Sequence, residues 1–476
     1  MKRMKLKELL KNCDSGIEIT GVTCDSRKVE KGYAFVCING TDQDGHDYAA
    51  SAAENGAAAI ICERDLGLDN QFIVTDTREA FADMSAAWFG HPAEKLKLIG
   101  ITGTNGKTSV AHIIKNVLEN LGHKTGMIGT ICNMIGQTVH EAKNTTPSAF
   151  EINKLFAEMV ENGCEYAVME VSSHALDQKR VYGLHFKVAV FTNLTQDHLD
   201  YHKTMENYLA AKKKLFYMCD TAVINLDDRR FKELTDGLQC KIVTYSAKSD
   251  EATFTAKNIN YRPRGVDYEM VSYGLISRVR MGIPGKFTVY NSLAAAVTMI
   301  ELGFSIYEVT KVLSSAPGIK GRAEIVPTDT DYTIVIDYAH TPDGLLNILS
   351  TFKECPKNRL IAVFGCGGDR DKKKRPIMGE IAARNSDFVI VTSDNPRTED
   401  PAAIIKEIVS GMKNTVTPYK IVENRIDAIK YAMKIAQPND IIVLAGKGHE
   451  TYQILGQKTI HLDEREVIKD VLEEKM

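Results

Sequence analysis

The 476-residue chain lacks several features that would assign it to a broad class of proteins. It has no apolar run of about eighteen residues, so we expect no membrane span, and no signal-peptide core follows the basic N-terminus. Its formal net charge is −3, without the basic excess typical of nucleic-acid-binding proteins. Its ten cysteines form no Cys-x-x-Cys pair, which predicts reduced thiols in a cytoplasmic protein rather than a zinc site.

What the chain does have is 44% hydrophobic residues and a length suited to about three domains. We place these domains at residues 1–92, 93–325 and 326–476. The first reads as a small mixed unit. Its predicted strands are 33–38 and 57–62, and its predicted helix is 49–55.

The second and third segments alternate between apolar strand patterns and amphipathic helix patterns. This alternation predicts an α/β architecture: a doubly wound parallel sheet in the centre and a Rossmann-like sheet at the C-terminus. The residues from 251 to 289 alternate with strand period and predict an antiparallel insertion, and the turn at 316–318 predicts a linker. The predicted strands are 98–102, 166–171, 187–192, 221–225, 240–245, 333–336, 360–364, 388–392, 420–422 and 441–444. The predicted helices are 109–121, 148–162, 204–217, 290–303, 306–314, 342–352, 375–384, 401–412, 425–436 and 463–473.

A glycine-rich loop follows the first strand of the central segment and precedes an amphipathic helix. Its residues are Gly103, Thr104, Asn105, Gly106, Lys107, Thr108 and Ser109. Loops of this kind turn backbone N–H groups toward phosphate, while the lysine reaches the terminal phosphates and the threonine can ligate magnesium. Ile101 stands where a full Walker motif has its first glycine, so this is a shorter variant. The sequence therefore predicts that the protein binds a nucleoside triphosphate.

Polar residues also follow two other strands of the central segment. Glu170 ends one strand, where open α/β sheets bind ligands, and could hold magnesium beside the phosphate loop. The segment 193–202 carries two histidines and two aspartates, which favours a metal or phosphate site. Lys212, Lys213 and Lys214 lie on a predicted helix, and on sequence alone a solvated basic face is the favoured interpretation.

Three polar loops follow strands of the C-terminal segment, at residues 365–371, 393–397 and 446–450. Loops that follow neighbouring parallel strands meet at one edge of the sheet. Arg370 and Arg397 could each bind a carboxylate in bidentate fashion, and Glu450 could pair with an ammonium group. An amino acid with more than one charged end fits this set.

With these residues identified, the whole chain resembles the Mur ligases of peptidoglycan synthesis. Within that family, the sequence Asp394-Asn395-Pro396-Arg397 is typical of members that add meso-diaminopimelate, whereas lysine-adding relatives usually lack the arginine. The other matching strings are 102–108, Glu170-Val171-Ser172-Ser173-His174, 193–202, Ala211-Lys212 with Leu215-Phe216, Tyr290-Asn291-Ser292, Gly321-Arg322 and Asp337-Tyr338-Ala339-His340-Thr341-Pro342.

The resemblance implies a role for each domain and for individual residues. The N-terminal domain would bind the UDP substrate, the central domain ATP and the C-terminal domain the incoming amino acid. Ser26, Thr41, Asp42, Gln43, Asn144, Thr145, Thr146, Ser172, Gln178 and Arg180 would bind the UDP-muramoyl-dipeptide. Residues 103–109 with Asn291, Arg322 and Asp337 would bind ATP. Arg370, Asp394, Asn395, Pro396, Arg397, Gly446 and Glu450 would bind diaminopimelate. Lys107, Lys212, His198 and Glu170 would be catalytic, and Thr108, Glu170, His198 and Lys212, the last as N6-carboxylysine, would hold magnesium.

The implied activity is an ATP-dependent, ADP-forming ligation of meso-diaminopimelate to the D-glutamyl γ-carboxylate of UDP-N-acetylmuramoyl-L-alanyl-D-glutamate, through an acyl phosphate. We expect a monomer that uses ATP and Mg²⁺ and binds no nucleic acid. Two alternatives remain open at this point: a folylpolyglutamate synthetase, which shares the phosphate loop, and a P-loop switch that binds nucleotide without ligation. The second alternative leaves the C-terminal polar loops unexplained.

Overall fold

The computed structural model describes residues 2–40, 43–262, 265–314, 318–355 and 357–474. Three α/β units follow one another along the chain, each built around a sheet that contains parallel strands. Among the described residues, no helix is both long enough and apolar enough to cross a membrane. Thr41 and Asp42, and Ala316 and Pro317 of the predicted linker, lie outside the described residues.

The N-terminal unit is a four-stranded parallel sheet with its strands in chain order. The long helix Thr77–Trp88 packs beside it and begins at Asp76, whose carboxylate accepts from the backbone N–H groups of Arg78 and Glu79. The sheet strands are Gly21–Thr23, Tyr33–Val36, Ala59–Cys62 and Gln71–Ile73. A two-stranded ladder pairs Met4–Lys5 with Glu18–Ile19, and the remaining helices are Leu6–Leu9, Ser26–Lys28, Gly45–Tyr48, Ala49–Glu54 and Pro92–Lys95.

An eleven-stranded mixed sheet forms the central unit, with seven neighbouring strands paired in parallel and antiparallel strands at both margins. In spatial order its strands are Thr138–Glu141, Cys132–Ile135, Thr125–Ile128, Tyr166–Glu170, Lys97–Thr102, Phe186–Phe191, Cys219–Asn225, Lys241–Ser246, Phe254–Arg262, Gly265–Ser272 and Leu275–Met281. The predicted antiparallel insertion is therefore a continuation of this sheet, and its last residues already belong to the helix Lys286–Glu301.

Helices cover both faces of the central sheet, because alternate strand residues are apolar on each side. Leu98 packs with the helix Ala149–Glu161 on one face, while Ile99 packs with the helices Lys107–Asn120 and Lys286–Glu301 on the other. This confirms the doubly wound prediction. The further helices of this unit are Ser173–Asp177, Leu199–His202, Met205–Lys213, Lys214–Tyr217, Phe231–Thr235 and Ile306–Leu313.

The C-terminal unit has a six-stranded sheet, parallel except for its first strand. In spatial order the strands are Glu324–Val326, Thr333–Asp337, Ile441–Ala445, Leu360–Phe364, Phe388–Val391 and Tyr419–Ile421. Its helices are Pro342–Lys353, Lys374–Asn385, Pro401–Ser410, Arg425–Ile435 and Glu464–Glu474, and a hairpin joins Tyr452–Leu455 to Lys458–His461. The domain boundary placed between residues 325 and 326 falls inside the first strand, so this sheet begins slightly before it.

Candidate active site

The phosphate loop, residues 103–106, leaves a strand inside the central sheet and enters the N-terminus of the helix Lys107–Asn120. Gly106 is the N-cap, with a left-handed φ of 91° that glycine adopts without steric cost. Asn193 holds the loop in place: its side chain accepts from the Asn105 N–H at 3.0 Å, and its carbonyl accepts from the Thr104 N–H at 2.8 Å. The loop is thus already shaped to present a helix N-terminus to an anion.

Two lysine ammonium groups converge on one carbonyl of this loop. Lys107 Nζ donates to the Gly103 and Thr104 carbonyls at 2.9 and 2.8 Å, and Lys212 Nζ donates to the Gly103 carbonyl at 2.8 Å. Burial lowers the pKa of both amines, and the charge of Lys107 lowers the pKa of Lys212 further. Lys212 is 1% exposed and lies 4.4 Å from the ring centroid of Tyr208, so the solvated basic face favoured for it from the sequence is wrong.

Thr108 and Glu170 face each other across the start of the phosphate-loop helix. The Thr108 hydroxyl donates to Glu170 Oε2 at 2.9 Å and accepts from the Arg322 guanidinium at 3.1 Å. Glu170 is buried at the end of its strand and also accepts from the N–H and hydroxyl of Thr130. A carboxylate and a hydroxyl are oxygen donors of the kind that magnesium prefers.

His198 lies on the loop after the next strand, with a left-handed φ of 54°. Its ring is 6.1 Å from that of Tyr208, so His198 and Lys212 are both near the same aromatic side chain. It also lies 4.9 Å from the His174 ring and 3.4 Å from the Asp197 carboxylate. In the described part of the chain no group of three His, Cys, Asp or Glu side chains forms a ready-made metal site.

A cleft beside the phosphate loop lies between the central and C-terminal units, with a volume of about 310 Å³. Asn105, Ser109 and Asn291 line it from the central unit, and Arg322 and Asp337 line it from the other side. Asp337 accepts from two backbone N–H groups, of Ala323 and Ala339, and burial raises its pKa. Six of the ten predicted nucleotide residues therefore line one cavity, namely Asn105, Gly106, Ser109, Asn291, Arg322 and Asp337.

Asp343 is a residue of this cleft that the sequence reasoning missed. Its carboxylate accepts from the Asn105 side chain at 2.7 Å and so links the phosphate loop to the first turn of the helix Pro342–Lys353. In the sequence, an aspartate in the first turn of a helix indicates only that the helix terminus is stabilised by a negative charge. The contact with Asn105 depends on tertiary packing that a sequence pattern does not encode.

The three polar loops of the C-terminal unit meet at one edge of its sheet, as predicted. Glu450 Oε2 accepts from Asn395 Nδ2 and from Lys447 Nζ, each at 2.9 Å. Asn395 Oδ1 accepts from the Ile454 N–H at 3.0 Å and from Lys447 at 3.3 Å. Lys447 is fully buried and was not among the predicted residues, although it stands inside the motif at 446–450. Protein partners thus fix one oxygen of Glu450.

Arg370 and Arg397 lie side by side at the same edge. Arg397 has a φ of 53°, and its guanidinium donates to the Gly368 carbonyl at 2.8 Å. Arg370 is exposed and donates to the Asp369 carbonyl at 3.0 Å. The remaining predicted members are close by: Asp394 and Asn395 are buried, the Pro396 carbonyl contacts Gly368, and Gly446 packs on the Asp394 carboxylate. Two guanidinium groups and one carboxylate therefore border a single surface.

Another cavity, of about 370 Å³, lies between the N-terminal and central units. Asn144, Gln178 and Arg180 line it together with Arg78, a cation that the sequence reasoning missed. Arg180 donates to the Gln178 side chain and to the Thr146 carbonyl. Thr146 in turn contacts Ser172, and Thr145 contacts Thr130 of the Glu170 cluster.

Two of the predicted N-terminal residues that are described do not line this cavity. Ser26 begins a short helix capped by Asp25, and Gln43 is exposed, with its carbonyl accepting from Gly40. Thr41 and Asp42 lie outside the described residues. The structure therefore brings Asn144, Gln178 and Arg180 into one cavity. Ser26 and Gln43 do not line it, although the cavity-lining Gly40 donates to the Gln43 carbonyl.

Family models match three stretches of the chain: the Mur ligase family, catalytic domain over residues 18–93, the Mur ligase middle domain over 101–299, and the Mur ligase, glutamate ligase domain over 321–448. The chain is 47% identical over 483 residues to the UDP-N-acetylmuramoyl-L-alanyl-D-glutamate–2,6-diaminopimelate ligase 1 of Clostridium acetobutylicum, covering 99% of this chain and 100% of that protein. It is 45% identical over 465 residues to the corresponding ligase of Bacillus cereus, covering 96% and 94%.

Solved structures agree with these sequence matches. A UDP-N-acetylmuramoyl-L-alanyl-D-glutamate–2,6-diaminopimelate ligase superposes with a TM-score of 0.73 at 32% identity, covering 100% of this chain and 99% of that one. MurF ligase from Thermotoga maritima in complex with ADP superposes with a TM-score of 0.64 at 18% identity, covering 95% and 97%, and shares the fold. The chain belongs to the Mur ligase family and is an ATP-dependent ligase.

Proposed function

We propose that this ligase joins meso-diaminopimelate to the D-glutamyl γ-carboxylate of UDP-N-acetylmuramoyl-L-alanyl-D-glutamate. The observation that carries the proposal is the pairing of Arg370 and Arg397 beside Glu450 at one edge of the C-terminal sheet. Diaminopimelate differs from lysine by a distal carboxylate, and a guanidinium group is the side chain best suited to bind one. The relatives that are 45% and 47% identical to this chain along nearly its whole length are named as ligases for this substrate, which supports the proposal.

The chemistry begins with activation of an acid. A carboxylate is a poor acyl donor, so transfer of the γ-phosphoryl group of ATP to the glutamyl carboxylate supplies a leaving group. Lys107 and the N–H groups of the phosphate loop would neutralise the charge that develops on the phosphoryl oxygens. The amine of diaminopimelate then attacks the acyl carbon, phosphate leaves and the amide forms. Arg370, Arg397 and Glu450 would serve mainly to hold that amine in line.

Magnesium fits the residues present. Thr108 and Glu170 would hold one ion, and His198 with a carboxylated Lys212 would hold a second. Bound magnesium neutralises phosphate charge. The buried Lys212 amine has a lowered pKa, so it is more readily neutral and able to add carbon dioxide, with loss of a proton, to give a carbamate.

The UDP-muramoyl-dipeptide would bind between the N-terminal and central units. Arg78 and Arg180 supply positive charge in that cavity, and Asn144 and Gln178 supply amide groups. We propose that the protein acts as a monomer. We place the reaction in the cytoplasm, where ATP and UDP-linked precursors are available.

One assay tests this proposal. Purified protein is incubated with ATP, Mg²⁺ and UDP-muramoyl-dipeptide, with either meso-diaminopimelate or L-lysine, and the product is identified by mass spectrometry. We expect phosphate release and a tripeptide product far more readily with diaminopimelate than with L-lysine, and neither with the Lys107→Ala variant. Equal coupling of lysine would refute the amino-acid assignment. A folate substrate consumed in place of the muramoyl-dipeptide would refute the acceptor.

A further inference from the structure

The two loops that carry Arg370 and Arg397 are bound tightly to each other. We call them the 365–371 loop and the 394–400 loop. The Gly368 N–H donates to the Asn395 carbonyl at 2.9 Å, and the Arg397 guanidinium donates back to the Gly368 carbonyl at 2.8 Å. Thr398 donates to the Asp369 carboxylate through its hydroxyl at 2.7 Å and its N–H at 3.2 Å. These four hydrogen bonds join the two loops.

In each loop, the backbone is in the left-handed conformation at the arginine or at the residue directly before it. Asp369, which directly precedes Arg370, has a φ of 52°, and Arg397 itself has a φ of 53°. Residues with a side chain adopt this conformation only when surrounding contacts impose it. Both arginines pass near the same point, since a Cβ on Gly367 would lie 3.0 Å from the Arg397 guanidinium and 3.9 Å from Arg370 Cγ. Their convergence depends on contacts beneath the loops.

An ion pair between a buried arginine and a partly exposed glutamate supplies those contacts. Arg375 has no exposed surface and forms a bidentate pair with Glu399, at 2.8 and 3.0 Å. The same guanidinium donates to the Gly367 carbonyl at 3.2 Å, and Glu399 accepts from the Asp369 N–H at 2.7 Å. Arg375 also holds the pKa of Glu399 down, at about 2. The pair thus bridges the 365–371 loop and the 394–400 loop from below.

We propose that Arg375 and Glu399 are positioning residues that hold Arg370 and Arg397 together, and thereby set the preference for an amino acid with a second carboxylate. This inference rests on the proposed function. Neither residue touches the edge where the ligand would bind. They act through the backbone of the two loops, so their loss affects recognition of the distal carboxylate rather than use of ATP.

The chain offers a matched pair of variants for a test. Glu399→Gln keeps the shape of the side chain but removes its charge and places an amide N–H against a guanidinium N–H. Glu407→Gln removes the other acidic partner of Arg375, at 2.8 Å. The Glu407 side chain is 42% exposed and lies on the helix Pro401–Ser410 rather than on either loop. Thr398→Val removes an exposed inter-loop hydrogen bond and leaves the pair of Arg375 and Glu399 intact. Steady-state kinetics on the full-length protein would measure kcat and KM for ATP, diaminopimelate and L-lysine.

We expect Glu399→Gln to lower kcat/KM for diaminopimelate about 10- to 100-fold, as for loss of a charged hydrogen bond, with KM for ATP and kcat/KM for lysine unchanged. The selectivity ratio is kcat/KM for diaminopimelate divided by kcat/KM for lysine. Thr398→Val should lower this ratio by a smaller factor than Glu399→Gln does, and Glu407→Gln should leave it unchanged. The inference is overturned if Glu399→Gln and Thr398→Val keep the wild-type ratio, or if Glu407→Gln lowers it equally. A wild-type protein that does not couple diaminopimelate overturns the proposed function instead.

Discussion

Substitution of Gly106 by alanine tests how closely the phosphate loop packs against Asn291, a residue that lines the nucleotide cleft. Gly106 has a φ of 91°, and a Cβ there would lie 2.5 Å from Asn291 Oδ1, closer than such atoms can pack. Gly122, beyond the other end of the same helix, also has a φ of 91°, but its Cβ would meet nothing within 4 Å. The two positions share the backbone cost of alanine, but only Gly106 belongs to the phosphate loop and only there would the new Cβ meet a side chain, that of Asn291.

The magnitudes follow from that difference. Alanine in the left-handed region costs about 1–2 kcal/mol at either position. At Gly106, forcing the extra carbon against Asn291 adds about 1–3 kcal/mol, the usual cost of overpacking. Because Asn291 lines the cleft, its displacement should also raise KM for ATP by about 10-fold or more, corresponding to at least 1.4 kcal/mol. Gly122→Ala should leave KM for ATP unchanged.

Urea unfolding and ATP-dependent phosphate release measure the two effects separately. In a double-mutant cycle, Asn291→Ala should relieve the clash, so Gly106→Ala should destabilise the Asn291→Ala background less than the wild type. If Gly106→Ala and Gly122→Ala were equally stable and had the same KM for ATP, the contact between the loop and Asn291 would not matter as described.

Four further substitutions test the site and its support. Lys107→Ala should abolish phosphate release without loss of thermal stability, and measurable turnover would argue against its role at the γ-phosphate. Arg397→Ala should raise KM for diaminopimelate about 10- to 100-fold with KM for ATP unchanged; an equal rise in both would argue against the pocket. Lys212→Ala should lose activity that added acetate partly restores, and a lack of rescue would leave the carbamate unsupported. Arg425→Met, which breaks a fully buried pair with Glu464, should cost about 3–5 kcal/mol in urea unfolding, whereas Lys469→Met at an exposed pair should cost almost nothing.

Most of the central and C-terminal sheets could be predicted, because their strands are short apolar runs between amphipathic helices. Predictions such as 187–192 and 441–444 differ from the observed strands by one residue at an end. The hairpin Cys132–Ile135 and Thr138–Glu141 was not predicted, since its outer strand is fully exposed and polar. The helix Thr77–Trp88 was also not predicted, although Asp76 gives a capping signal there.

The candidate site could be predicted where one motif carries the chemistry and not where distant segments meet. The phosphate loop and the Glu450 motif were identifiable because their residue types and spacing are specific. The contacts of the buried Lys447 and Arg375 side chains join segments far apart in the chain. In the sequence, these two residues therefore look no different from a lysine or arginine exposed to solvent. Burial of Lys212 is a further case: helical periodicity alone does not show which of three adjacent lysines turns inward.

The nucleotide cleft takes its walls from two separate units of the chain. Asn105 and Asn291 come from one, and Arg322, Asp337 and Asp343 from the other, so neither half contains a weaker copy of the site. Severing the chain at the junction should weaken nucleotide binding, because it separates the phosphate loop from Arg322, Asp337 and Asp343. For the uncut protein, a bound triphosphate links both halves, and any rotation that separates them loses contacts to it. We therefore expect a bound triphosphate to restrict relative motion of the two halves.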